Sequence, residues 1–319
     1  MKKVVEGKSI KKYFIASKGL FGKTEYVRAV DRVDVDIYEN KVLALVGESG
    51  SGKTTLGRIL AGILKPDEGN ILFKGIDIYQ DGLTRDLRHK IQVIFQNPDS
   101  SLNPRMRILE ILGEAIKEIE PEISKEALED KAASLLEDVN LHVDHLYKYP
   151  HELSGGEKQR VAIARALAVK PEFIVADEPV SALDISIRAQ IINLLNSIQK
   201  SLKISMLYIA HDLRTVWNLS DYVAVMYLGK IVEYGETEKV FRNVAHPYTA
   251  TLLTSAPLMP KEFKKLEIYP VGEPPSLIDP PSGCRFHTRC PLARDECKSL
   301  DMELIEVDSG HYTACPFLK

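Results

Sequence analysis

The sequence predicts an α/β fold that carries a helical insert and a small C-terminal appendage. Three observations lead there. A short apolar run at 41–46 ends at a glycine-rich stretch, after which Leu56, Ile59, Leu60 and Ile63 recur at helical spacing. Strand, glycine-rich loop and helix are the start of an α/β domain. Two further apolar runs, Phe173-Ile174-Val175-Ala176 and Ser205-Met206-Leu207-Tyr208-Ile209-Ala210, end at Asp177-Glu178 and His211-Asp212. Open α/β sheets bind ligands just beyond such strand ends. Between these landmarks, from about 105 to 150, Glu, Lys, Leu and Ala dominate in helical patterns such as 127–139.

Each element has its own local reason. The run 41–46 has no polar face and reads as a strand buried on both sides, as in a parallel sheet. The helix after Lys53 is stopped by Lys65-Pro66-Asp67-Glu68-Gly69, a breaker and turn sequence. Ser154 is followed three residues on by Glu157, the pattern of a capping box. A helix is expected from there to about Val169, with Pro171 beyond it. Tyr222-Val223-Ala224-Val225-Met226 and Ile231-Val232-Glu233-Tyr234 flank Gly229-Lys230 as a hairpin would. Pro257, Pro260, Pro270, Pro274, Pro275, Pro280 and Pro281 mark a linker that avoids regular structure.

Bulk properties narrow the function. The chain has 319 residues, 45% hydrophobic and 27% charged, enough for a large core and ordinary for a water-soluble protein. A formal net charge of -3 excludes a global basic field for nucleic acid. No apolar run approaches the ~18 residues of a membrane span, and 1–6 lacks the apolar stretch of a signal peptide. A cytoplasmic protein is expected, with any membrane spans supplied by partner subunits. Cys284, Cys290, Cys297 and Cys315 all follow residue 283, which points to one local site rather than a secreted, disulfide-stapled chain.

Gly47-Glu48-Ser49-Gly50-Ser51-Gly52-Lys53-Thr54, continued by Thr55, fits the phosphate-loop pattern. Its glycines let several backbone N–H groups face one phosphate, and the following helix adds its positive N-terminal end. Lys53 is expected to reach the outer phosphates and Thr54 to ligate Mg²⁺. Asp177 stands where nucleotide hydrolases hold the Mg²⁺ shell. Glu178 beside it can position or deprotonate the attacking water. Leu153-Ser154-Gly155-Gly156-Glu157-Lys158-Gln159 is more than a helix start. A cap does not need two glycines, whereas two glycines suit a backbone that must approach a phosphate closely.

With these motifs in order, the chain resembles the ATP-binding subunits of ABC transporters over about 4–250. The resemblance implies a P-loop NTPase fold of the ABC type, with a mixed sheet core, a helical subdomain and a small C-terminal extension. The implied boundaries are 1–240 for the nucleotide-binding domain, with the helical subdomain at about 97–170, and 241–319 for the extension. Residues 153–157 look like the family's signature motif, Gln96 like its Q-loop glutamine and a Mg²⁺ ligand, and 181–184, ending at Asp184, like its D-loop. His211 looks like the switch histidine, and Tyr13, with Phe14 beside it, falls where the family stacks an aromatic on adenine. The implied mechanism pairs two such domains head to tail, each ATP lying between 47–54 of one and Ser154, Gly155, Gly156 and Glu157 of the other.

Gln96-Asn97-Pro98-Asp99-Ser100-Ser101-Leu102-Asn103-Pro104-Arg105, His246-Pro247-Tyr248-Thr249 and Cys284-Arg285-Phe286-His287-Thr288-Arg289-Cys290 resemble the dipeptide and oligopeptide importer ATPases. That branch implies import of peptides or related solutes such as oligosaccharides. It implies two transmembrane permease subunits, an extracytoplasmic solute-binding protein, and a second ATPase, a different subunit in preference to a second copy. It places the chain at the cytoplasmic face of the cell membrane. The alternative is a soluble ABC ATPase with no transporter. The cysteines are separated by five, six and seventeen residues, neither paired zinc knuckles nor the ferredoxin spacing. The resemblance favours a [4Fe–4S] cluster, while zinc, disulfides and free thiols stay open.

Overall fold

The computed structural model describes residues 1–17, 24–80, 82–256, 259–260, 263 and 266–318; Pro257 of the linker lies outside the described residues. The chain forms two compact units, Met1–Gly82 with Leu207–Lys319, and Leu83–Met206. Residues 241–319 thus share a unit with the phosphate-loop segment.

The first unit holds two sheets. In one, β1 (Lys3–Ser17) pairs antiparallel with β2 (Glu25–Tyr38) and with β4 (Glu68–Phe73), and β4 pairs with β5 (Ile76–Asp77). Val5, Ile10, Val30, Val33, Val35 and Ile37 are buried on these strands. Sequence reading did not find the β1–β2 ribbon, for a physical reason. Its register shifts between Gly7 and Ile10, where Ser9 sits at φ 49, and such a bulge breaks the two-residue alternation.

In the other sheet, β3 (Val42–Val46) runs parallel to β9 (Tyr222–Tyr227), and all five β3 residues are buried. β9 is antiparallel to β10 (Lys230–Glu236), so the sheet is mixed. The turn between them puts Leu228 at φ 43 and Gly229 at φ 81, the two positive values of a type I′ hairpin. The expected hairpin is therefore present. β12 (His311–Thr313) adds to β10, and β11 (Ile305–Asp308) to β12. Helix α1 (Lys53–Leu60) lies beside β1 and β2.

The second unit begins with α2 (Arg85–Lys90) and β6 (Ile91–Ile94), and β6 runs parallel to the fully buried β7 (Phe173–Asp177). Between them, α3 (Ile108–Ile119), α4 (Lys125–Asp138) and α5 (Gly155–Leu167) pack on one another. Their apolar stripes, Ile108, Leu112 and Ile116 on α3 and Ala132 and Leu136 on α4, are buried, as helical spacing requires. α6 (Ile185–Leu202) follows β7. The division between the units falls inside β8 (Ser205–Ala210), all of whose residues are buried. In the first unit come α7 (Leu213–Leu219), α8 (Thr237–Arg242) and α9 (Pro247–Ser255).

One buried carboxylate ties the C-terminal strands to the rest of their unit. Glu233 on β10 is 0% exposed. It accepts from the N–H of Ala245 at 2.8 Å, from the N–H of His246 at 3.0 Å and from His311 Nε2 at 2.8 Å. It thereby fixes β10, the start of α9 and β12 together. Glu233→Ala leaves three donors without a partner in the core, a cost of roughly 3 kcal/mol or more. Urea unfolding should show a lowered midpoint for Glu233→Ala and a smaller loss for Glu233→Gln, which keeps one acceptor.

Candidate nucleotide site

The phosphate-loop residues leave β3 and enter α1. Gly52 caps α1 at φ 105, and a Cβ there would collide with the Ala29 carbonyl oxygen, so only glycine fits. Lys53 is 4% exposed, and its Nζ donates to the carbonyls of Gly47 and Glu48, both at 2.9 Å. The ammonium thus lies across the inside of the curl. Ser51 is 2% exposed, and its Oγ is buried without a partner. An orphaned hydroxyl within a glycine-rich curl at a helix N-terminus fits an anionic ligand.

Tyr13, also in this unit, donates its hydroxyl to Asp31 Oδ1 at 2.6 Å, and the Arg28 guanidinium stands 6.0 Å from its ring. Burial, and then the bond to Asp31, push the Tyr13 phenol up to about 12. Burial works against the Asp31 carboxylate, yet the Tyr13 hydroxyl and Arg285 hold its pKa below the usual range. Phe14 is 40% exposed, with Lys12 Nζ 5.7 Å from its ring. His211 is exposed just beyond the end of β8, before the Asp212 cap of α7.

The second unit gathers the other candidates. Asp177 is buried at the end of β7, and Glu178 follows at φ 46, a left-handed conformation that costs energy outside glycine and recurs at functional sites. Gln96 Nε2 donates to Glu178 Oε2 at 3.2 Å. Ser181 Oγ donates to the Glu178 carbonyl at 3.1 Å. Ser154 caps α5 in the expected box: Glu157 Oε2 accepts from the Ser154 N–H at 2.8 Å and from its Oγ at 2.7 Å. Gly156 has a packing reason beyond the one expected, because a Cβ there would lie 2.6 Å from Ile187 Cγ2. Asp184 is exposed at the start of α6.

All four cysteines are free, and all line one cavity of about 280 Å³ together with His246, Phe286, Leu300 and Phe317. Burial pushes the Cys284 thiol up to about 11 and raises Cys290 and Cys315. Backbone N–H groups oppose that at each sulfur, Phe286 for Cys284, Leu292 for Cys290, and Phe317 and Leu318 for Cys315. Among the described residues, no group of three or more His, Cys, Asp or Glu is placed to hold a metal ion. Nor, among the described residues, is any helix long and apolar enough to cross a membrane.

Sequence reading missed the residues that link the cysteine segment to the phosphate loop: Asp31, Tyr248, Arg285 and Arg289. Tyr248, Arg285 and Arg289 lie inside the quoted branch motifs, so the signal was present.

A family model described as "ABC transporter" matches residues 30–181, and one described as "Oligopeptide/dipeptide transporter, C-terminal region" matches 232–297. A dimeric ATP-binding cassette, solved in a post-hydrolysis state with ADP and phosphate, superimposes with a TM-score of 0.64 at 28% identity, over 73% of this chain and 98% of that one. The fold is that of an ABC ATPase. The chain is 44% identical to the dipeptide transport ATP-binding protein DppF of Haemophilus influenzae, over 96% of this chain and 94% of that protein. It is 45% identical to the oligopeptide transport ATP-binding protein AppF of Bacillus subtilis, over 98% and 96%. The chain belongs to the dipeptide/oligopeptide branch of the ABC transporter ATPases.

The capping box predicts a pH signature. The Ser154 N–H and hydroxyl, and after them His145 at 3.0 Å, hold the Glu157 pKa down at about 2 against an ordinary 4.5. A depressed carboxylate stabilises the fold fully above its unfolded pKa and loses that contribution as pH falls through the folded value. The loss therefore runs from about 4.5 down to about 2. An NMR titration of the Glu157 carboxyl should give a midpoint near 2, and an unperturbed midpoint would mean that the cap is open in solution.

Proposed function

We propose that this chain hydrolyses ATP to power the import of peptides, or of related small solutes such as oligosaccharides, through an ABC transporter. The observation that carries the reading is the phosphate loop, with Gly52 forced into a left-handed cap and Lys53 buried across the curl. The peptide solute is supported by what the relatives' names say of them.

Residues 47–54 and Thr55 bind the phosphates, and Tyr13 stacks on the adenine. Thr54, Gln96 and Asp177 would hold Mg²⁺, a hard-oxygen set suited to that ion, which would supply positive charge against the phosphates. Glu178 takes the proton of the attacking water, oriented by its bond from Gln96. His211 and Lys53 stabilise charge on the transferred group. Ser154, Gly155, Gly156, Glu157 and Asp184 serve the ATP held by the partner ATPase, a different subunit in preference to a second copy. Two permease subunits supply the membrane spans, a solute-binding protein delivers cargo, and the chain works peripherally at the cytoplasmic face. The nucleotide-binding domain is 1–240, its helical subdomain about 97–170, and the extension 241–319.

The cysteines are proposed to hold a [4Fe–4S] cluster, with zinc as the alternative. Four free thiols around about 280 Å³ leave several times the ~30 Å³ share of one water molecule. That favours a polyatomic group over one ion. Backbone N–H groups at three of the sulfurs and the Arg294 N–H at 3.4 Å from Cys297 Sγ suit thiolates in an apolar pocket. Such a cluster would supply a covalent tie among four points and a one-electron couple.

Two measurements test the reading. Glu178→Gln should retain ATP binding, trap an ATP-bound dimer and lower turnover by about a hundredfold or more; unchanged turnover would remove Glu178 from its role. Protein purified without oxygen should show a broad visible absorption with about four irons per chain. Zinc near one per chain, or no metal, would remove the cluster and leave the ATPase assignment standing.

A further inference from the structure

The cysteine segment carries two arginines beside its thiols, and neither points to solvent. Arg289, next to Cys290, is 6% exposed, and Arg285, next to Cys284, is 4% exposed. Burying a guanidinium is expensive unless it is paired, and an apolar side chain would anchor a tail at less cost. What these two arginines pair with therefore carries information.

Arg289 Nη1 donates to both carboxylate oxygens of Glu48, at 3.1 and 3.0 Å, and to the Tyr227 hydroxyl at 3.4 Å. Glu48 is a phosphate-loop residue. Its N–H donates to the Tyr248 hydroxyl at 2.8 Å, and its carbonyl accepts from Lys53 Nζ at 2.9 Å. Side chain and backbone of this one residue are thus held by Arg289 and Tyr248, while its carbonyl fixes the lysine that faces the phosphates. Arg285 donates to the Leu228 carbonyl and pairs with the Asp31 carboxylate. The Leu228–Gly229 turn then holds the far side of the loop, with the Gly229 N–H donating to the Ser51 carbonyl at 2.8 Å. Asp31 returns an N–H to the Gly229 carbonyl at 2.9 Å and accepts the Tyr13 hydroxyl at 2.6 Å. The proline-rich linker lies on the same side, with Pro274, Pro275 and Leu277 lining a cavity of about 230 Å³ against Glu48 and Ser51.

We propose that Arg289 and Arg285 are positioning residues of the nucleotide site. Arg289 sets the loop and Lys53 through Glu48, and Arg285 sets Ser51 through the hairpin turn and Tyr13 through Asp31. The cysteine segment is thereby a brace for the ATP site, and its integrity is read as ATP affinity. This inference rests on the nucleotide-binding role of 47–54 proposed above.

The test is a set of Mg·ATP dissociation constants by calorimetry on the full chain, for wild type, Arg289→Ala, Arg289→Lys, Glu48→Gln and the Arg289→Ala/Glu48→Gln pair. Arg289→Ala should weaken binding roughly tenfold, the scale of a lost charged hydrogen bond. Arg289→Lys should recover part of it. Glu48→Gln should weaken binding comparably, and the double variant should be no weaker than the worse single, as for residues in one network. Rescue by lysine and non-additivity with Glu48 would not follow if Arg289 only held the tail. Wild type that binds ATP while Arg289→Ala binds within twofold of it, or a double variant equal to the product of the singles, would overturn the brace alone. Wild type that binds no Mg·ATP would sink both the brace and the nucleotide reading. If Arg289→Ala does not fold, Glu48→Gln decides: an affinity within twofold of wild type overturns the proposal.

Discussion

The first unit is organised around one backbone constraint, the curl of residues 47–52. A chain that turns this tightly exposes its own carbonyls on one side and its N–H groups on the other. Gly52 tolerates the curl only because nothing replaces its hydrogen on the side of the Ala29 carbonyl oxygen. Lys53 then satisfies two of the inward carbonyls itself. Such a loop has little intrinsic preference for its shape, because glycine loses more conformational freedom on ordering than any other residue. The order comes from outside: from β3, from α1, from the Leu228–Gly229 turn that donates to Ser51, and from Tyr248, which accepts from Glu48.

The C-terminal segment is one of those outside supports. A proline-rich tail with four thiols reads as an appendage needing a metal to hold it. The unit instead gives it three attachments that involve no metal. β12 extends the sheet at β10, His311 bonds the buried Glu233, and Arg285 and Arg289 reach Asp31 and Glu48. The cysteine cavity sits among these attachments rather than replacing them. His246 illustrates the arrangement. Its backbone N–H is held by Glu233, its Nδ1 accepts from the Tyr248 N–H at 3.1 Å, and its side chain lines the cysteine cavity. Burial keeps that imidazole neutral, with a pKa near 3, so it contributes no charge to the cavity at physiological pH.

How much of this could be read from the sequence depended on range. β3, β7 and β8 were legible because strands buried on both faces are simple apolar runs. The α5 cap was legible because Ser154 and Glu157 are three residues apart. The phosphate loop was legible because its chemistry is consecutive. The β1–β2 ribbon was not, because bulges at Ser9 and elsewhere scramble its alternation. Nor were the contacts Arg289–Glu48 and Arg285–Asp31, which join residues 241 and 254 positions apart. No local pattern encodes a partner at that distance. Which arginine faces which acid is settled only by the fold that brings them together.

The second unit adds a different kind of order. Gln96 bonds the Glu178 carboxylate, and the Glu178 carbonyl accepts from Ser181. The Ser181 carbonyl accepts from Arg188, whose guanidinium also bonds the Leu183 carbonyl. Leu183 and Ile187 are the side chains packed on Gly155 and Gly156. A continuous path of direct contacts thus runs from the glutamine, through the acid in its left-handed conformation, to the two glycines of the α5 cap. Contiguity alone is not coupling, which also needs an element with two arrangements. Glu178 is the residue in this path with a left-handed backbone. At φ 46 it pays a conformational cost, and the bonds to Gln96 and Ser181 are among those that offset it. Gln96 and Ser181, from the segments on either side of it, thus both bear on the conformation of one acid.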